Sequence, residues 1–110
     1  GCAAMRCSLG GTPCYNVALG SCAMTTMKGS HNIGIGYGSV VGGYGCASYN
    51  IGLGCLALNG ITTGSHNIFL GKYSGCNNDT GSNNIFFGRY SGMSSSCGLA
   101  NITTQSNRIT

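Results

Sequence analysis

The feature that most constrains the fold of this chain is a short motif that returns five times along 110 residues. It reads Asn, then Val or Ile, then a variable residue, then Leu, Ile or Phe, then Gly, and its successive Asn residues lie 16, 18, 17 and 17 positions apart. These residues are Asn16, Asn32, Asn50, Asn67 and Asn84. A fixed period of this length is typical of a solenoid, in which each repeat stacks on its neighbour. We therefore expect equivalent residues of successive repeats to lie directly on top of each other.

Composition limits what each repeat can form. Charged residues make up only 5% of the chain, Trp is absent, Pro occurs once and Gly occurs 21 times, which does not favour long amphipathic helices. A hydrophobic fraction of 42% with a formal net charge of +4 also argues against disorder. We predict an all-β chain of extended segments joined by tight turns.

The alternation within each motif predicts one β-strand per repeat, because side chains on a strand point alternately to opposite faces. We expect the apolar residues one and three positions after each Asn to face a core and to stack between coils. This predicted core stack is Val17, Leu19, Ile33, Ile35, Ile51, Leu53, Ile68, Leu70, Ile85 and Phe87. The closing glycines should mark turns with backbone angles that a β-carbon would penalise. These are Gly20, Gly36, Gly54, Gly71 and Gly88.

The predicted architecture is a parallel β-solenoid, either a β-roll or a β-helix, of about six 17-residue coils in a side-by-side homotrimer. We assign residues 1–110 to a single repeat domain and expect it to be a segment of a longer polypeptide. The coils should lie near 12–28, 29–46, 47–63, 64–80 and 81–97, with a degenerate coil at 98–110.

Two further columns have expected structural roles. The repeated Asn residues should form a ladder through their side-chain amides, or hold a turn through the backbone. The variable residue of the motif changes from Ala18 through glycines to Phe69 and Phe86. Since it alternates with the predicted core positions, we expect both Phe side chains to point away from the core and to contact another chain.

The stretches TTGSHNIFLGKYSG, TGSNNIFFGRYSG and GTPCYNVALGSCAM resemble the GSxNxAxG-type repeats of trimeric autotransporter adhesin heads and of related phage and large-virus tail or surface fibres. The resemblance covers about residues 12–92. It implies a left-handed parallel β-roll or β-helix in each chain and three chains side by side around a fibre axis. It also implies a passive role as a stalk or a receptor-binding head.

The sequence offers little for catalysis or metal binding. General acid–base chemistry needs converging titratable groups, and the chain has one acidic residue, Asp79, and two separated histidines, His31 and His66. No CxxC pair is present among its eight cysteines. We predict that the protein is not an enzyme and has neither a metal site nor a cofactor. For the thiols, some disulfides or small buried free thiols both remain open.

Binding partners can also be narrowed from the sequence. Five scattered basic residues do not form the cluster that nucleic-acid binding requires, and no apolar run is long enough to cross a membrane. Lys72 and Arg89 occupy equivalent positions in adjacent repeats, and each is followed by a tyrosine, Tyr73 and Tyr90. This strip is a candidate for holding an anionic glycan, while solvated charges over a packed tyrosine pair are the alternative. Asn78 and Asn101 lie in N-glycosylation sequons, which matter only in a eukaryotic secretory pathway.

These observations favour a structural segment of an extracellular fibre or appendage on a virion or cell surface. It would serve as a stalk or an adhesin-like head, with a cell-surface receptor or glycan as its possible partner. We expect a homo-oligomer, with a trimer as the first model. A self-polymerising extracellular filament is the alternative, because uncapped coils can continue into another molecule. An ice- or glycan-binding solenoid fits less well, since the Thr pairs recur only in some repeats.

Overall fold

The computed structural model describes residues 15–25, 28–41, 46–76 and 80–92. Each motif forms one short strand of three residues. The strands are β1 (Val17–Leu19), β2 (Ile33–Ile35), β3 (Ile51–Leu53), β4 (Ile68–Leu70) and β5 (Ile85–Phe87). The strands form one parallel sheet in sequence order, so the described chain is a β-solenoid of about four turns. This confirms the predicted all-β parallel solenoid.

The repeat sets the register of the sheet. Ile33 pairs with Ile51, Ile51 with Ile68 and Ile68 with Ile85, so equivalent residues of successive coils are direct partners. Backbone hydrogen bonds outside the strands follow the same rule, for example from the Gly54 N–H to the Ile35 oxygen at 2.8 Å. The predicted sixth coil at 98–110 lies outside the described residues.

The coil turns at the closing glycines, which have φ values between 106° and 131°. At Gly71 a β-carbon would lie only 2.6 Å from the carbonyl carbon and oxygen of Gly88 in the next coil. Both the backbone angle and the close approach of two coils therefore require glycine here.

At other corners of the coil, residues other than glycine adopt left-handed backbone angles. The residue before each repeated Asn has φ near 60° in every coil, and β-branched Val40 has φ of 52°. Such angles are uncommon for residues other than Gly, Asn and Asp, so the stacked neighbours must hold these corners in place.

The predicted orientation of the strands is wrong. Phe69 and Phe86 are fully buried inside their own chain, whereas Val17 is 44% and Leu19 56% exposed. The interior of the coil admits only the middle residue of each three-residue strand, and the two flanking side chains point outwards. Phe69 and Phe86 therefore do not contact another chain, and the ten apolar residues predicted as the core stack line the outer face of the sheet.

The core is completed by the residue eight positions after each Asn. Where the middle strand residue is Gly, as at Gly52, the side chains of Leu58 and of Val40 in the preceding coil fill the space. Where it is Phe69, the opposing residue is Gly75. The same exchange of large and small residues runs through all five repeats. The pairs are Ala18 with Met24, Gly34 with Val40, Gly52 with Leu58, Phe69 with Gly75 and Phe86 with Gly92.

Candidate functional site

A distinctive surface of the described chain is the outer face of the sheet, which we call the strand face. It is formed by the two outward residues of every strand. These are Val17, Leu19, Ile33, Ile35, Ile51, Leu53, Ile68, Leu70, Ile85 and Phe87. Every one of them is apolar and partly or substantially exposed, with Phe87 58% and Ile35 38% exposed. Contiguous exposed apolar surfaces are uncommon on monomeric proteins, which makes the strand face a candidate interaction surface.

The strand face is regular because its residues repeat in register. The residues one after each Asn form one column and those three after form another, and parallel strands in a sheet lie about 4.8 Å apart. A matching partner would need apolar side chains at the same interval.

The repeated Asn residues lie on the inner side of the coil and form a continuous ladder. Asn32, Asn50, Asn67 and Asn84 are fully buried. The Asn50 side-chain oxygen accepts hydrogen bonds from the backbone N–H of Asn67 at 3.1 Å and from its side-chain amide at 2.9 Å. The Asn67 amide also donates to the Gly81 carbonyl at 2.9 Å. Each side chain therefore joins two coils and satisfies buried backbone groups, which is a structural role.

A second polar ladder accompanies the first. The backbone N–H of Ser48 donates to the Ser65 hydroxyl at 3.3 Å, and that of Ser65 donates to the Ser82 hydroxyl at 2.9 Å. These serines lie two positions before each Asn, where the sequence showed a small residue in every repeat. Their role in linking coils was not predicted.

Aromatic rings form a stack on the outside of the corner that precedes each Asn. The rings of Tyr15, His31, Tyr49 and His66 lie one on another, with centroids 4.9, 4.8 and 5.0 Å apart. His31 and His66 are thus separated by Tyr49 and do not share a ligand position. Among the described residues no group of three His, Cys, Asp or Glu side chains could hold a metal ion.

The candidate glycan strip has a defined geometry. The Tyr73 and Tyr90 rings stack with centroids 5.4 Å apart and an angle of 9° between their planes. Lys72 Nζ lies 5.5 Å from the centroid of the Tyr73 ring, and Arg89 Cζ lies 4.5 Å from that of Tyr90. Both cations are exposed, so the structure brings all four predicted residues together on one surface.

The cysteines do not form a common site among the described residues. Cys22, Cys46 and Cys55 are free thiols. Cys76 is 7% exposed and is disulfide-bonded. A disulfide therefore occurs, whereas the free thiols among the described residues are exposed or half-buried and not buried as the other alternative had them.

In the part of the chain that the structure describes, no helix has the length and apolarity that a membrane crossing requires. Comparison of the chain with family models, with curated proteins and with solved structures found no match in any of the three.

Proposed function

We propose that this chain is a passive structural segment of a viral, phage or cell-surface fibre, acting as a stalk or as an adhesin-like head. The observation that carries the proposal is the strand face, which extends over all five described strands and is apolar at all ten outward positions. A single coil contributes one interior residue from its strand, so most of the apolar strand surface becomes buried only if another molecule covers it.

The occupant that fits the strand face best is a second copy of the same chain. A copy carries the same two apolar columns at the same coil spacing, so its side chains can interdigitate along the full length of the rod. Three copies side by side bury this face on every chain around a common axis. The resemblance to trimeric adhesin and fibre repeats favours the number three.

The disulfide at Cys76 supports an extracellular, virion or cell-surface setting, because disulfides persist mainly in oxidising environments. The proposed role involves no catalysis and no cofactor. Receptor or glycan contacts would be added on surfaces of the rod that the copies leave open.

An end-to-end filament is the second candidate, and the polarity of the Asn ladder favours it. From Asn16 to Asn67, each side-chain oxygen accepts a hydrogen bond from the backbone N–H of the next Asn along the chain. Because the same hydrogen bond runs in the same direction between all successive coils, the ladder can continue from the last coil of one molecule into the first coil of the next.

Native mass determination of the 110-residue chain at several concentrations separates these models. A mass of three chains that does not change with concentration supports the side-by-side trimer. Masses that grow with concentration support the filament, and a folded monomer at all concentrations overturns both.

Two variants show whether the strand face is the interface. In Ile51→Lys/Leu53→Lys the charges lie in the middle of the strand face, and we expect dissociation to monomers. Thr63→Lys places one lysine at an exposed position away from the strands, and it should leave the trimer intact, whereas Leu53→Lys alone should already weaken it. Dissociation of both variants, or of neither, contradicts the proposed interface.

A further inference from the structure

The basic–aromatic strip formed by Lys72, Tyr73, Arg89 and Tyr90 has features of a binding site that the role of a stalk does not use. Its two cations project from adjacent coils at equivalent positions, next to β4 and β5. The Arg89 guanidinium also donates a hydrogen bond to the Tyr90 hydroxyl at 3.3 Å. Packing over a ring restricts each long side chain, which lowers the entropy lost when a ligand is held.

The cations have no acidic counterpart in the described part of the chain. The single Asp of the sequence, Asp79, lies outside the described residues, and there is no Glu. The positive charge of the strip is therefore not neutralised by any described carboxylate and is available to an anionic ligand.

The arrangement of the rings indicates which kind of anion fits. Single-stranded nucleic acids bind by stacking their bases on open aromatic faces. Here the Tyr73 and Tyr90 rings face each other, and each is also covered by its neighbouring cation. The two rings stack on each other and leave no gap into which a base could insert, while the cations and the polar ring edges can bond to acidic groups and hydroxyls.

We propose that this strip binds an acidic polysaccharide carrying sulfate or carboxylate groups. Arg89 and Lys72 bind acidic groups of the chain through charge-assisted hydrogen bonds, and the tyrosine hydroxyls contact sugar hydroxyls between them. Parallel strands about 4.8 Å apart place the two cations on a spacing comparable with one sugar residue. Side-by-side copies would present several such strips and increase the avidity.

The site can be tested on the full chain with immobilised heparin, chemically desulfated heparin and a single-stranded DNA oligonucleotide as probes. We expect binding to heparin that weakens with added salt, and much weaker binding to the other two. Lys72→Gln and Arg89→Gln should each reduce heparin affinity about tenfold, as expected for the loss of one charge-assisted contact. The double variant should reduce it about a hundredfold.

Lys28→Gln is the matched control, since it removes one positive charge from another part of the rod. It should keep heparin affinity within about twofold, and thermal unfolding should show that all variants remain folded. No binding by the unaltered chain, an equal loss in the Lys28 variant, or equally tight binding of DNA would each overturn the proposal.

Discussion

Phe69 and Gly75 share one volume of the core. The Phe69 ring occupies the space that a β-carbon on residue 75 would need, so the two positions cannot both carry a side chain. One coil earlier the arrangement is reversed, with Gly52 beside Leu58. Since Leu58 has a φ of 56° and Gly75 one of 64°, the backbone at this corner accepts either arrangement.

The exchange predicts strong coupling between these two positions. Phe69→Gly should destabilise the fold by about 4 kcal/mol by leaving a cavity, and Gly75→Leu by about 3 kcal/mol by overpacking. The double variant copies the coil that contains Gly52 and Leu58, so it should recover at least about 2 kcal/mol relative to the sum. Urea denaturation of the four proteins measures this coupling.

An additive result would show that the two side chains do not compete for one space. The pair Phe86→Gly and Gly92→Leu provides an independent repetition of the experiment in the next coil, where the same relationship holds.

The Asn ladder predicts that replacing Asn by Asp is costly at a buried position of the ladder and is tolerated at an exposed position outside it. In Asn67→Asp an oxygen replaces the amide that donates to the Asn50 side chain and to the Gly81 carbonyl. Because this brings acceptors together around a buried charge, we expect a loss of about 3 kcal/mol or more at pH 7. Denaturation midpoints provide the measurement.

Asn83→Asp is the matched control for the ladder. Asn83 is exposed, and Asp tolerates its φ of 60° nearly as well as Asn does. The change should alter stability by no more than about 0.5 kcal/mol. Equal effects at positions 67 and 83 would show that the buried hydrogen bonds are not important for stability.

The turn glycines allow backbone strain to be separated from the close approach of coils. Gly71 has both a φ of 131° and a neighbouring backbone that a β-carbon would meet, whereas a β-carbon on Gly88 meets nothing within 4 Å among the described residues. We therefore expect Gly71→Ala to be more destabilising than Gly88→Ala by at least about 1 kcal/mol. Thermal unfolding of the two variants compares them directly, and the reverse order would contradict the in-register stacking of the glycines.

The repeat was sufficient to predict the sheet and its register. Once the Asn residues were aligned, parallel pairing of Ile33, Ile51, Ile68 and Ile85 followed from stacking alone. The need for glycine at position 71 was predicted from the backbone angle of the turn, and the close approach of Gly88 in the next coil was not predicted.

Which strand residues point into the coil could not be predicted from the alternation of apolar residues, because a period of two does not say which side of the strand is the interior. Both flanking residues of each strand are apolar, and this suggested that the flanking pair lies inside. A three-residue strand in a narrow coil, however, buries only its middle side chain. The exchange between the columns of Phe69 and Gly75 was the available signal. In these two columns a large residue always accompanies a small one, which indicates that they share one space. Such sharing is typical of a closely packed core.

We propose that the outward apolar side chains of the strands contact other copies of the chain. Photo-crosslinking tests it most directly, with p-benzoylphenylalanine placed at position 53 on the strand face or at the exposed position 63 away from it. Irradiation should produce covalent dimers and trimers from position 53 and almost none from position 63. Crosslinks that form only from position 63, or none between chains from position 53, would contradict the claim.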